Sequence, residues 1–249
     1  MRGTPVVVPL FLLLIAPIAA CSEERPDRAI TVEDGDGADQ RDAEPNGDPA
    51  EAEEPESAAG KQLTQQQAEA ALLSVNELPS GWAGTPPEEE DESEDTIEPE
   101  RCQVVIDSLD KLGEETAVAE ADAEFNKGGA FGVQLSESIS SYSDEVDPGW
   151  LESTADAFTE CPQFTSTDSQ GVVSHVTVSP LSFANLGDQT VAFAMTYEQD
   201  DWTISVNIAM VAVGHNLVSL FSGGIAGSDG AELEQFGRKA IAKLEDVAG

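Results

Sequence analysis

Thiols and imidazoles are the scarcest reactive groups in this chain: Cys21, Cys102 and Cys161, with His175 and His215, among 249 residues. Cysteines can bridge, bind metal or attack a carbonyl, and the last two uses need partners at defined spacings. The chain has no C-x-x-C, no H-E-x-x-H, no G-x-S-x-G elbow and no P-loop, so no catalytic residue, metal site or cofactor is read from it. His175 falls in register with Val173, Thr177 and Ser179, the more polar side of a strand, and His215 lies in the turn "VGHN"; neither has a second ligand spaced to help it. The glycine-rich "FSGGIAGSDG" (221–230) precedes a helix but lacks the lysine of a phosphate loop, and reads as a connector. "DGDGADQRD" (34–42) fails as a calcium loop, because Ala38 and Pro45 stand where oxygen ligands are required. Aromatic side chains remain. Trp82, Trp150, Trp202 and Tyr142 fall near element ends, where pocket rims form, and are the candidate ligand-binding residues; the competing reading of each tryptophan is a cap on the core.

Cys21 belongs to a different context. Residues 1–20 read as an export signal, with Arg2, an apolar run from Val6 to Ile18, and Ala19 and Ala20 just before the cysteine. The run is interrupted by Pro9 and Pro17 and falls short of the ~20 residues that span a bilayer. Ile18-Ala19-Ala20-Cys21 resembles the lipobox of bacterial lipoproteins, which implies a diacylglycerol on Cys21 and a chain held on the outer face of the cytoplasmic membrane. The alternative is an ordinary secretory cleavage near Ala20. Residues 21–63 then form an acidic tether: after Val32 no large apolar residue occurs until Leu63, too little to offset the entropy of ordering.

Residues 64–249 have the apolar content of one domain. The whole chain carries a formal charge of −38, and this domain alone has 35 acidic and 6 basic residues, which excludes nucleic acid and disfavours anionic lipid headgroups as partners. Thr64 and Gln67 form a capping box for a first helix through Ala68, Ala71, Leu72 and Val75, ended before Pro79. A second helix opens at Pro99 and aligns Cys102, Val105, Ile106, Leu109 and Leu112; a third opens at Asp147-Pro148 and aligns Leu151, Thr154, Ala155, Phe158 and Cys161. Six strands are read at 116–125, 130–143, 171–181, 189–199, 201–213 and 216–224, and a last helix is capped by Asp229. The expected fold is α+β: an antiparallel sheet of about six strands, helices packed on one face, and one disulfide between two helices.

With Cys21 removed to a lipid, Cys102 and Cys161 are an even pair in an exported domain, where disulfides persist; two buried free thiols are the alternative. The blocks "ALLSVNELPSGW", "PERCQVVIDSL", "DPGWLESTADAFTECPQF" and "VAVGHNLVSLFSGG" resemble the PknH-like extracellular sensor domains of actinobacteria. The resemblance implies a helix-flanked antiparallel sheet with a ligand-binding cleft. This chain has neither the kinase domain nor the second disulfide of the kinase form. The expected function is a monomeric, non-catalytic binding or sensing module with a small-molecule or envelope ligand, the alternatives being a carrier of lipid between membrane and wall or an envelope hydrolase.

Overall fold

The computed structural model describes residues 60–86, 95–112, 117–199, 202–225 and 227–249. The export signal, Cys21, most of the tether and most of the acidic stretch 88–100 lie outside the described residues. Among the described residues four helices, α1 (Gln65–Ala71), α2 (Glu100–Leu112), α3 (Pro148–Glu160) and α4 (Gly230–Ala248), flank one sheet. Its nine strands are β1 (Trp82–Thr85), β2 (Thr96–Glu98), β3 (Ala119–Lys127), β4 (Val133–Ser141), β5 (Gln163–Thr167), β6 (Val173–Pro180), β7 (Gln189–Gln199), β8 (Trp202–Val213) and β9 (Asn216–Gly224). Their order is β1-β3-β4-β9-β8-β7-β6-β5-β2, every neighbouring pair antiparallel.

The expectation of about six strands is therefore corrected to nine. The additional strands, β1, β2 and β5, have only four, three and five residues. Alternation cannot show itself over so few positions; the longer neighbours β3 and β6 supply the ladders that hold β1 and β5, and β5 in turn holds β2.

Helices on one face is also corrected: they lie on both. In β8, Ala209, Val211 and Val213 join the core beneath α1 and α4, while Val206, Ile204, Ile208 and Met210 join the core containing Phe158 of α3 and Cys102 of α2. Successive side chains point to opposite faces, so a strand with both registers apolar must be covered on both sides. We call the side of α1 and α4 the first face and the side of α2 and α3 the second.

Helix α1 starts at the expected capping box, with Thr64 Oγ1 accepting from the Gln67 amide and Leu63 buried just before it. It ends at Ala71, sooner than the apolar spacing through Val75 suggests, and Val75 opens an exposed 3-10 turn, Val75–Glu77. The groups beyond the helix end are taken by other elements: Lys243 Nζ donates to the Leu72 carbonyl at 2.5 Å, and the Leu73 amide donates to Glu137 at 2.7 Å. Gln65 protects an edge. Beyond the end of β1, where Pro86 follows Thr85, its carboxamide donates to the Glu120 carbonyl (2.7 Å) and accepts from the Glu120 amide (3.2 Å), blocking the bare margin of β3.

Residues 60–63 are pinned to the β8–β9 turn. The His215 amide donates to the Gly60 carbonyl at 2.9 Å, Asn216 Nδ2 to the Lys61 carbonyl at 2.9 Å, and the Leu63 amide to Ser141 Oγ at 2.8 Å. Gly214 makes this seat, with φ +54° and Gly60 so close that a Cβ would lie 2.3 Å from its carbonyl oxygen.

Candidate functional site

The two helix pairs are offset along the sheet. Helix α4 packs on β8 and β9 and α1 on β3 and β4, whereas α3 packs on β6 and β7 and α2 on β2 and α3. Among the described residues neither α2 nor α3 packs on the second face over β3 and β4 and the adjoining part of β9, and that half-face is the candidate site.

Register writes its surface row by row. Across β3, β4 and β9 the second-face positions read Asn126–Gln134–Gly223, Glu124–Ser136–Phe221, Asp122–Ser138–Ser219 and Glu120–Ser140–Leu217. A strip of three carboxylates runs beside a strip of three serines, with Asp122 exposed, Ser136 and Ser138 partly so, and Ser140 buried. Burial raises the pKa of Glu120 above the ordinary glutamate value, and the negative charge of Asp122 adds to the rise. The opposite register of the same strands, Ala119, Ala121, Phe125, Leu135 and Ile139, is buried in the first-face core, which fixes which side chains face outward.

The β4 strip ends on an aromatic corner. Tyr142 continues the alternation of Ser138 and Ser140, its amide donating to the His215 carbonyl at 2.9 Å. It packs with Trp150 against Leu151, Ala212 and Leu217. Asp147 caps α3 by accepting from the Gly149 amide at 2.8 Å, which sets Trp150 in the first turn. The indole Nε1 of Trp150 is buried and has no hydrogen-bond partner among the described residues.

Of the aromatic residues singled out in the sequence, the structure brings together Tyr142 and Trp150. Trp202 shares the second-face register of Ile204 and Val206 and is 40% exposed, but it stands ten residues along β8 from Ala212, about 33 Å at strand rise. Trp82 is on the other face, buried edge-on against Phe236 with ring centroids 5.7 Å apart and Lys127 Nζ 5.5 Å from its ring centre: a core cap. His175 lies exposed on β6 beside Thr165, and His215 Nδ1 sits 3.2 Å from the Tyr142 carbonyl; no cluster suited to a metal occurs among the described residues. Cys102 and Cys161 are bonded, with Cα atoms 5.6 Å apart, between α2 and the end of α3. The alternating carboxylates of "AEADAEFN" are legible in the sequence as the wet face of a strand, whereas the serine strip of "QLSESIS" beside them escaped the sequence reading.

The architecture is that of an α+β domain whose antiparallel sheet is flanked by helices. Among solved structures, the extracellular domain of PknH from Mycobacterium tuberculosis superposes with a TM-score of 0.58 and 15% sequence identity, covering 75% of this chain and 99% of that one. A Mycobacterium smegmatis ortholog of Rv0999 matches with a TM-score of 0.43 and 14% identity, covering 72% of this chain and 96% of that one. The PknH likeness shows that this chain has the fold of that extracellular domain. No family model matches the sequence, and no curated protein does.

Proposed function

We propose that this protein is a lipid-anchored, non-catalytic binding or sensing module displayed on the outer face of the cytoplasmic membrane, and that it binds ligand on the bare half of the second face. The lipobox-like Ile18-Ala19-Ala20-Cys21 supports the anchor, and the fold shared with an extracellular domain supports the location. One observation carries the binding role: among the described residues the helices of the second face pack on only part of it, and the rows beyond them present serines, carboxylates and an aromatic corner in fixed register. Such a surface suits a hydroxyl-rich envelope molecule. Carboxylates and serine oxygens accept from its hydroxyls, and aromatic faces cover its C–H surfaces. A lipid carrier would need an apolar lining, and the serine and carboxylate rows argue against it.

Native mass spectrometry of the chain purified from an actinobacterial host tests the reading. A co-purifying species should be present, and Ser138→Trp, which fills the middle of the strip from a partly exposed position, should remove it. A ligand-free mass together with measurable ester or glycoside turnover would overturn the proposal.

A further inference from the structure

Glu137 is a charged residue in a core position. It lies on the first-face register of β4 between Leu135 and Ile139, opposite Ala123 of β3 and Leu220 of β9, and its exposure is 0%. One carboxyl oxygen, Oε2, accepts from the Leu73 amide at 2.7 Å; the other, Oε1, is buried with no partner among the described residues. Two charged groups face it. Lys243 of α4 reaches the neighbouring Leu72 carbonyl and pairs with Glu77 of the 3-10 turn at 2.7 Å, and Glu77 is the second. Lys239, one turn earlier on α4, is occupied by the Glu77 carbonyl at 2.6 Å, while α1 offers only Ala68 and Ala71 to the core.

We propose that Glu137 is a proton-operated latch: neutral, it clamps the link between α1 and the 3-10 turn onto the sheet, and ionised, it draws Lys243 away from Glu77 and loosens that link. An ionised carboxylate here would leave a buried anionic oxygen unpaired, which a protein interior tolerates poorly. Burial pushes its pKa from the ordinary 4.5 to about 7, a rise that the Leu73 hydrogen bond and Lys243 oppose and Glu77 reinforces. The proton is thus held about 300-fold more tightly than on a solvated glutamate. On deprotonation it passes to bulk water, and the new anion competes with Glu77 for the charge of Lys243, which acts on both. Because the folded value is raised, the clamp is complete at acid pH and weakens as pH rises through about 7. Helix α1 directly follows residues 60–63, so the loosened link lies beside the point where the chain joins the domain.

The test is carbon-13 NMR of the Glu137 carboxyl in the full chain from pH 5 to 9, with amide exchange measured alongside and corrected for intrinsic rates. The carboxyl should titrate near neutrality, and protection from Leu73 to Glu77 should fall at least tenfold between pH 6 and 8 while β8 and β9 stay protected. Glu137→Gln, a neutral mimic of nearly the same shape, should keep that protection up to pH 9. A carboxyl midpoint near 4.5 would overturn the latch, as would an equal loss of protection across the whole sheet or the same loosening in Glu137→Gln. The carboxyl titration needs no variant, so misfolding of Glu137→Gln would leave it decisive.

Discussion

Removing the disulfide should be the costliest single covalent change to this domain. The bond closes a loop of 59 residues that contains most of α2, all of β3 and β4, and α3. On the loop-entropy account, cross-linking a chain at that separation is worth about 4 kcal/mol. For a domain of this size each kcal/mol moves the melting temperature by about 2–4 °C, so Cys102→Ala with Cys161→Ala should lower it by about 8–16 °C. The loss should also be local. Helix α2 packs on the three-residue strand β2 and on α3, with Val105 and Ile106 against the second-face core, and without the bond its amides should lose protection before those of β7 or β8. Both cysteines are buried, at 0% and 1% exposure, so reductant should cut the bond only as fast as the domain opens. Calorimetry of the double variant, exchange mass spectrometry over 100–112 and timed reduction of the wild type check the three points. A melting point lowered by less than 2 °C, with α2 protected as before, would refute the reasoning.

Two further perturbations probe the seat of the chain and the acid limit. Gly214→Ala should destabilise by about 1–3 kcal/mol, since it forces a side chain into the left-handed region and its Cβ against the Gly60 carbonyl; a lower urea midpoint and faster proteolysis near residues 60–63 are expected, and an unchanged midpoint would count against the seat. At Glu77, burial pushes the pKa up, but hydrogen bonds from Lys243 and Ser74 outweigh it and hold the value at about 2. A depressed carboxylate stabilises above its unfolded value of 4.5 and loses that contribution as pH falls toward 2, so Glu77→Gln should flatten stability against pH in that window. The side chain is 38% exposed, and screening leaves about 1 kcal/mol for the acid titration to detect.

Helix starts were legible because capping is local: Thr64 with Gln67, Asp147 with Pro148 and Asp229 each announce themselves within four residues. The long strands were legible for the same reason. The short strands were not, because β1, β2 and β5 exist through partners distant in sequence. Two-sided covering was written in the sequence and went unread: "NIAMVAV" in β8 and "LVSLF" in β9 are apolar in both registers, the pattern of strands buried on both faces. Glu137 was hidden by composition. "SESIS" looks like the polar end of a strand until alternation from Leu135 to Ile139 places its glutamate in the core register.

The offset helices and the charge together narrow the ligand class. The bare strip lies on a chain of formal charge −38, and its own rows add Glu120, Asp122 and Glu124 at every second residue of one strand. An anionic ligand, whether phosphorylated or nucleic, would meet that field without lysines or arginines in the rows to balance it. A ligand rich in hydroxyl donors meets the reverse. Every carboxylate in the strip is an acceptor, and the serines opposite them can accept as readily as donate. The strip's pull on such donors depends on its charge state. Glu120, its pKa raised by burial and by Asp122, takes up a proton above the ordinary glutamate range as pH falls, turning an acceptor into a donor at the row beside Ser140 and the aromatic corner. Binding at that end of the strip should therefore already weaken on mild acidification, above the pH at which an ordinary glutamate takes up its proton.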